Sequence, residues 1–177
     1  MRMIKEASSK KFMLDMYEHC TQSPKAGFFR DVAPWKSPRD ANWYVNNITN
    51  AHAVQLCRFR LRNSYIRAET GSWDRIDDEE RTCPTCHCRD DEQHHILECI
   101  MYVNLRGQYI NPYFWIRPSY EKLISLFTSN DRKTLQDLAL YIKHAGAHRK
   151  LKYLEERAAV LRAREAIDLD STILDHG

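Results

Sequence analysis

The sequence contains no apolar run near 18 residues, so no membrane-spanning helix is expected. Its first residues, Met1-Arg2-Met3-Ile4-Lys5-Glu6, carry no apolar h-region of the kind that marks a secretory signal. Glycine is scarce, with 5 in 177 residues, and no Gly-rich phosphate loop occurs. There is no H-E-x-x-H pair, no internal repeat and no low-complexity tract. Charge of one sign is also lacking. Against 27 Lys and Arg stand 24 Asp and Glu, a net +3 that does not by itself demand nucleic acid. A zinc deaminase would need His-x-Glu upstream of Pro-Cys-x-x-Cys, and His52-Ala53-Val54 does not supply it. No nucleophile is accompanied by a base and an orienting third group. A non-enzymatic chain is expected.

What is present is a dense set of metal-type donors. Four of the six cysteines fall between positions 83 and 99, which suits metal ligation in a reducing, intracellular compartment better than a disulfide framework. Cys83, Cys86, His94 and Cys99 form C-x2-C-x7-H-x4-C within 17 residues. Three thiolates and one imidazole complete a tetrahedron around Zn²⁺, leaving no open position for substrate, so one structural zinc is expected. Pro84 and the short C-x2-C suit a tight turn, and His94 and Cys99 lie about a turn apart at the start of an expected helix. His95 stands at i, i+4 from Cys99 and is an alternative ligand. Cys88 could replace Cys86 only by opening the first turn, and His87, Cys88 and His95 otherwise suit supporting or solvent positions. Cys20 and Cys57 read as core or surface thiols.

The chain divides into an N-terminal helix or arm with a Pro-rich loop (1–39), a helical zinc-binding core (40–128), a C-terminal helical segment (129–166) and an acidic tail (167–177). Residues 23–41 hold three prolines and a glycine, which argues against regular structure. Phe28, Phe29 and Trp35 there would anchor a loop on the core. A helix is expected from Pro38, with Asp40 as N-cap and Trp43, Tyr44 and Ile48 on one face. A second, over 51–66, places Val54, Cys57, Leu61 and Tyr65 at helical spacing, and Gly71 ends that segment. Asp74 to Glu80 forms an acidic connector, and Asp90-Asp91 reads as surface carboxylates. The helix holding Cys99 is expected to continue to about Gly107. An aromatic loop at 113–115 and a Ser119-capped helix follow. From Thr134 the pattern is one long helix or two, with Gly146 a candidate break. Leu151, Leu154, Ala158, Leu161 and Glu165 trace a narrow 3/4 seam suited to packing on the core or on a partner helix. The fold class is therefore mainly α, a helical domain around one small CCHC zinc loop with a long C-terminal helix.

The order of several motifs resembles a known family. These are Val54-Gln55-Leu56-Cys57-Arg58-Phe59-Arg60-Leu61-Arg62-Asn63-Ser64, Glu69-Thr70-Gly71, Glu80-Arg81-Thr82-Cys83-Pro84-Thr85-Cys86 and Asp91-Glu92-Gln93-His94-His95-Ile96-Leu97-Glu98-Cys99. Together with Arg106-Gly107-Gln108-Tyr109-Ile110 and Tyr113, they are similar to the C-terminal zinc-binding (CCHC) region of non-LTR, LINE-type retrotransposon reverse transcriptases. The similarity spans about residues 40 to 145. In that family the histidine directly follows D-E-x, which favours His94 over His95. Polymerase and endonuclease motifs are absent. The resemblance implies an accessory domain that handles RNA or DNA, apart from its enzyme.

Nucleic acid, RNA before DNA, is thus the expected partner. Arg58, Arg60, Arg62 and Arg67 form a basic band beside the zinc loop, Arg89 lies in that loop, and Arg117 lies on the aromatic loop. Lys143, Arg149 and Lys150 make the C-terminal helix basic. Guanidinium–phosphate contacts and base stacking are the means by which single-stranded or structured RNA is held. The aromatics Trp43, Trp73 and Trp115 read as core. The competing expectation is a protein-interaction or regulatory platform that docks a partner or a second copy through the 145–166 helix.

Overall fold

The computed structural model describes residues 22, 27–32 and 48–174. The helix expected from Pro38 with its Asp40 cap, most of the 1–22 segment, Trp35, Trp43 and Cys20 lie outside the described residues. So does the side chain of Phe29. Among the described residues the fold is helical, with no strand and one isolated antiparallel bridge, Thr82 to Arg89. The order is α1 (Gly27–Val32), α2 (Asn50–Arg60), α3 (Arg67–Trp73), the metal loop, α4 (Val103–Tyr109), α5 (Pro112–Trp115), α6 (Tyr120–Phe127) and α7 (Arg132–Leu174).

Local chemistry starts and stops these elements. Thr49 caps α2 by accepting from His52 N, and Ser119 caps α6 by accepting from Lys122 N. Asp131 accepts from the backbone of Thr134 at the start of α7. Helix α2 ends at Arg60, because Arg62 adopts φ 54, a left-handed conformation that closes the turn. The single helix expected over 51–66 is therefore cut short. Gly71 lies inside α3 rather than ending a segment. A Cβ there would come within 2.6 Å of Arg81 Cγ, so glycine admits the close passage of that side chain. The Pro-rich span likewise holds a short helix, α1. Its Phe28 meets Phe127 edge-on at 5.1 Å and Phe59 at 6.1 Å.

These three rings begin a core that continues through Leu56, Leu123, Leu126, Leu135, Leu138 and Tyr141, all essentially inaccessible to solvent. Helix α7 is one continuous helix. Gly146 does not break it, and a Cβ there would meet nothing within 4 Å. Its first half packs on α2 and α4. From Leu154 to Glu165 most of its residues are exposed. No helix among the described residues is long and apolar enough to cross a membrane.

Asp90 ties these parts together. Sequence reading placed Asp90-Asp91 on the surface, but Asp90 is fully buried. Its Oδ2 accepts from Arg67 N at 2.6 Å and pairs with Arg149 Nη2 of α7. Its backbone N donates to Arg81 O and its carbonyl accepts from Ala68 N. One residue thus fastens the metal loop to α3 and α7. Both partners of this ion pair are almost wholly enclosed, and removing one strands the other charge. Arg149→Met should cost about 3 kcal/mol or more in urea unfolding, and Asp90→Leu with Arg149→Met should recover much of that loss.

Candidate metal centre

The loop that carries the donors has little backbone support of its own. Cys83 N donates to Cys88 O at 2.8 Å and His87 N to Cys83 O at 2.9 Å, folding Cys83–Cys88 into a tight knuckle. His87 sits at φ 57 to complete it. The second pair of donors is placed differently from the α-helical turn expected. Residues 94–98 form a π-turn, closed by Cys99 N donating to His94 O at 2.7 Å. On an α-helix, residues five apart diverge by about 140°. The wider turn brings His94 and Cys99 to one side, as such π insertions commonly do at sites. The chain then breaks at Cys99 (ψ 121), passes through a 3₁₀ turn at Ile100–Tyr102 and enters α4, so the helix expected to run through Cys99 is interrupted.

The result is a cluster in which one donor atom from each of Cys83, Cys86, His94 and Cys99 lies within 4.8 Å of every other. Cys99 Sγ is 3.8 Å from both Cys83 Sγ and Cys86 Sγ. Two thiolates on a tetrahedral ion with metal–sulfur bonds of about 2.3 Å would stand about 3.8 Å apart. The set fits one metal ion. Cys83, Cys99 and His94 are buried and Cys86 is partly exposed.

Without an ion the crowded sulfurs stay protonated. Burial, with the neighbouring Cys83 and Cys86 sulfurs, pushes the Cys99 thiol up to about 12. Three thiolates cannot crowd together without a cation, whereas a bound ion deprotonates them outright. Burial lowers the His94 imidazole below its usual range, which favours the neutral ligand form. Two contacts hold the ligands in place. Asp91 Oδ1 accepts from His94 N at 2.9 Å, and buried Arg106 donates to Cys99 O at 2.8 Å where the chain turns. The structural roles of Arg106 and Asp90 were not legible in sequence, because they depend on partners brought together by the fold.

His95 and Cys88, the spare donors, take other positions. His95 is buried on a different side of the turn among Phe59, Tyr102 and Tyr141, with ring centroids 5.9, 5.0 and 6.4 Å away. It is not one of the four clustered donors. Its carbonyl accepts from Tyr141 Oη at 2.7 Å. Cys88 is exposed and its Sγ lies 3.2 Å from His94 Nδ1, beside the imidazole and outside the cluster.

The structure sorts the nine cationic candidates sharply. Arg60 and Arg149 were expected on a nucleic-acid surface and are instead buried, because each has an internal acceptor. Arg60 Nη2 donates to Phe127 O, and Arg149 pairs with Asp90. Arg62 is bound to Glu92 at 2.8 Å, Arg67 to Glu156, and Arg89 to Asp78 at 2.7 Å. Arg58, Lys143 and Lys150 are exposed, with no carboxylate partner among the described residues. They border one cleft between α2 and α7. Arg117 is exposed at φ 54 on the loop between α5 and α6, away from that cleft. Trp73, expected in the core, is 46 % exposed, while Trp115 is partly buried and donates to Ile110 O.

Purified chain should carry one divalent metal per molecule by elemental analysis. Cys83→Ser or Cys99→Ser should abolish retention, and Cys88→Ser should leave it intact. Acid should act through a second group as well. Burial and the nearby Arg149 hold the His95 imidazole down to about 3, against 6.5 when unfolded. Below pH 6.5 only the unfolded chain takes up that proton, so stability present above 6.5 drains away as the pH falls toward 3. Metal release acts in the same direction. Thermal midpoints measured from pH 7 to 4.5 should fall less steeply for His95→Phe than for the parent.

Comparison with protein-family models, curated proteins and solved structures returned no match. The likeness to the retrotransposon zinc region is thus carried by motif order alone.

Proposed function

We propose that the chain is a non-catalytic nucleic-acid-binding module, RNA before DNA, held together by one structural zinc ion. The observation that carries the nucleic-acid reading is the grouping of Arg58, Lys143 and Lys150 around one cleft without carboxylate partners. Elsewhere most of the candidate cations are spent on internal or surface acids, so these three form the unspent charge beside the metal loop. Phosphates would release counterions there, giving binding that weakens as salt rises. Zinc is the ion that the donor set favours, since three thiolates and an imidazole in a closed tetrahedron are a common structural zinc solution. Four protein ligands leave no position for substrate, which supports a structural role. The order of motifs shared with LINE-type reverse transcriptases supports descent from such an element.

A second reading has its own observation. Leu151, Leu154 and Leu161 are each about half exposed or more on one side of α7, an apolar seam without a partner among the described residues. A helix face of this kind suits self-association or a protein partner.

Two titrations separate the readings. Zinc-loaded parent should bind single-stranded RNA with log affinity falling linearly in log salt. Arg58→Glu with Lys143→Glu should bind weakly, with the slope shallower by about 1.4 and the circular dichroism unchanged. Equal binding by the double variant would make these side chains a solvated helix face. The second reading instead predicts a concentration-dependent dimer in sedimentation equilibrium that Leu154→Glu with Leu161→Glu dissociates.

A further inference from the structure

The cleft between α2 and α7 is more than a basic patch. It is an open groove of about 320 Å³, near the lower edge of ligand-pocket volumes of about 300–1,000 Å³. Its rim carries Arg58, Lys143 and Lys150, and no acidic side chain lines it. Its most buried lining residues are the apolar Phe59, Ile66 and Ile142 with His95, and these form its floor. All four floor residues are buried, and the Phe59 and His95 rings stack within 26° of parallel.

Two polar atoms at this cleft lack hydrogen-bond partners among the described residues. They are Nδ1 of His95, a residue 2 % exposed, and Oγ of Ser64. A buried donor or acceptor left unpaired is costly, so each calls for a polar group supplied from the cleft, directly or through one water. Gly146 forms part of the wall. The absence of a side chain there keeps the cleft open, since a Cβ would meet nothing within 4 Å. A purely electrostatic surface has no need of a buried apolar floor or of unpartnered polar atoms beside it.

We propose that this cleft receives a single unstacked nucleotide of a single-stranded RNA, its base over the Phe59–His95 floor and its phosphate among Arg58, Lys143 and Lys150. The proposal rests on the nucleic-acid reading above and adds the site and the unit recognised. Base edges supply the polar groups that Ser64 and His95 lack, and only single strands or loops can splay a base out this far. Duplex DNA would contact the rim alone.

The test is Gly146→Leu, which fills the cleft, keeps every cation and replaces a helix-interior glycine with a good helix former. Parent and variant, both zinc-loaded, are titrated with a single-stranded RNA across a salt series, with thermal midpoints as the folding control. In parallel, amide NMR spectra are recorded with nucleoside 5′-monophosphates and with inorganic phosphate. The variant should fold as well as the parent and lose on the order of tenfold in RNA affinity with its salt slope unchanged. Mononucleotides should shift the Ser64, Tyr65 and Gly146 resonances of the parent, and phosphate alone should not. Equal RNA affinity for parent and variant would overturn the cleft while leaving the nucleic-acid reading intact. Shifts produced equally by phosphate would reduce it to an anion site without a base. No RNA binding by the parent at low salt would remove the nucleic-acid reading and the cleft with it.

Discussion

Four donor atoms within 4.8 Å of one another set the terms for the rest of this molecule. Three buried or half-buried sulfurs and an imidazole at this spacing match the donor set of a single metal ion. The surrounding loop has one isolated bridge and a few turn hydrogen bonds, too little to hold its shape alone. The convergence also determines where the helices sit. The π-turn that aims His94 presents His95 to the aromatic core on its other side. Arg106 and Asp91 fix the backbone of Cys99 and His94, and Asp90 carries the position of the loop into α3 and α7.

From that arrangement follows the distribution of charge. Arginines that the sequence strings together in α2 diverge once folded. Arg60 turns inward to the end of α6, Arg62 is taken by Glu92, and Arg58 alone faces the cleft. On α7, Arg149 turns inward to Asp90 while Lys143 and Lys150 stay outside. A net charge of +3 understates the local potential at this cleft, where three exposed cations border one space and no acidic side chain lines it. The two arginines that turn inward, Arg60 and Arg149, are the ones that fix α2 to α6 and the metal loop to α7.

What could be read from sequence was what depended on local spacing. The ligand set follows from residues 16 apart at most, and the α6 helix follows from Ser119 and the apolar run behind it. The α7 helix was legible from about Thr134, but it runs on to Leu174 through much of the stretch read as an acidic tail, and its glycine suggested a break that good neighbouring helix formers override. The misreadings share a different cause. Arg62 at φ 54 ends α2 without glycine or proline to announce it. Asp90 looked solvated because its partner, Arg149, lies 59 positions away. The π-turn at 94–98 has the same residue pattern as an α-helix start and differs only in its hydrogen bonds. Long-range pairing and single backbone torsions are the quantities that spacing and composition do not carry.

The proposed zinc centre is tested most directly by X-ray absorption at the zinc edge of the purified chain. The account predicts a four-coordinate shell of three sulfurs at about 2.3 Å and one nitrogen at about 2.0–2.1 Å. Four sulfurs would place Cys88 in the site instead of His94. A shell of oxygen and nitrogen alone would mean that the zinc sits elsewhere and that the cluster does not organise the fold.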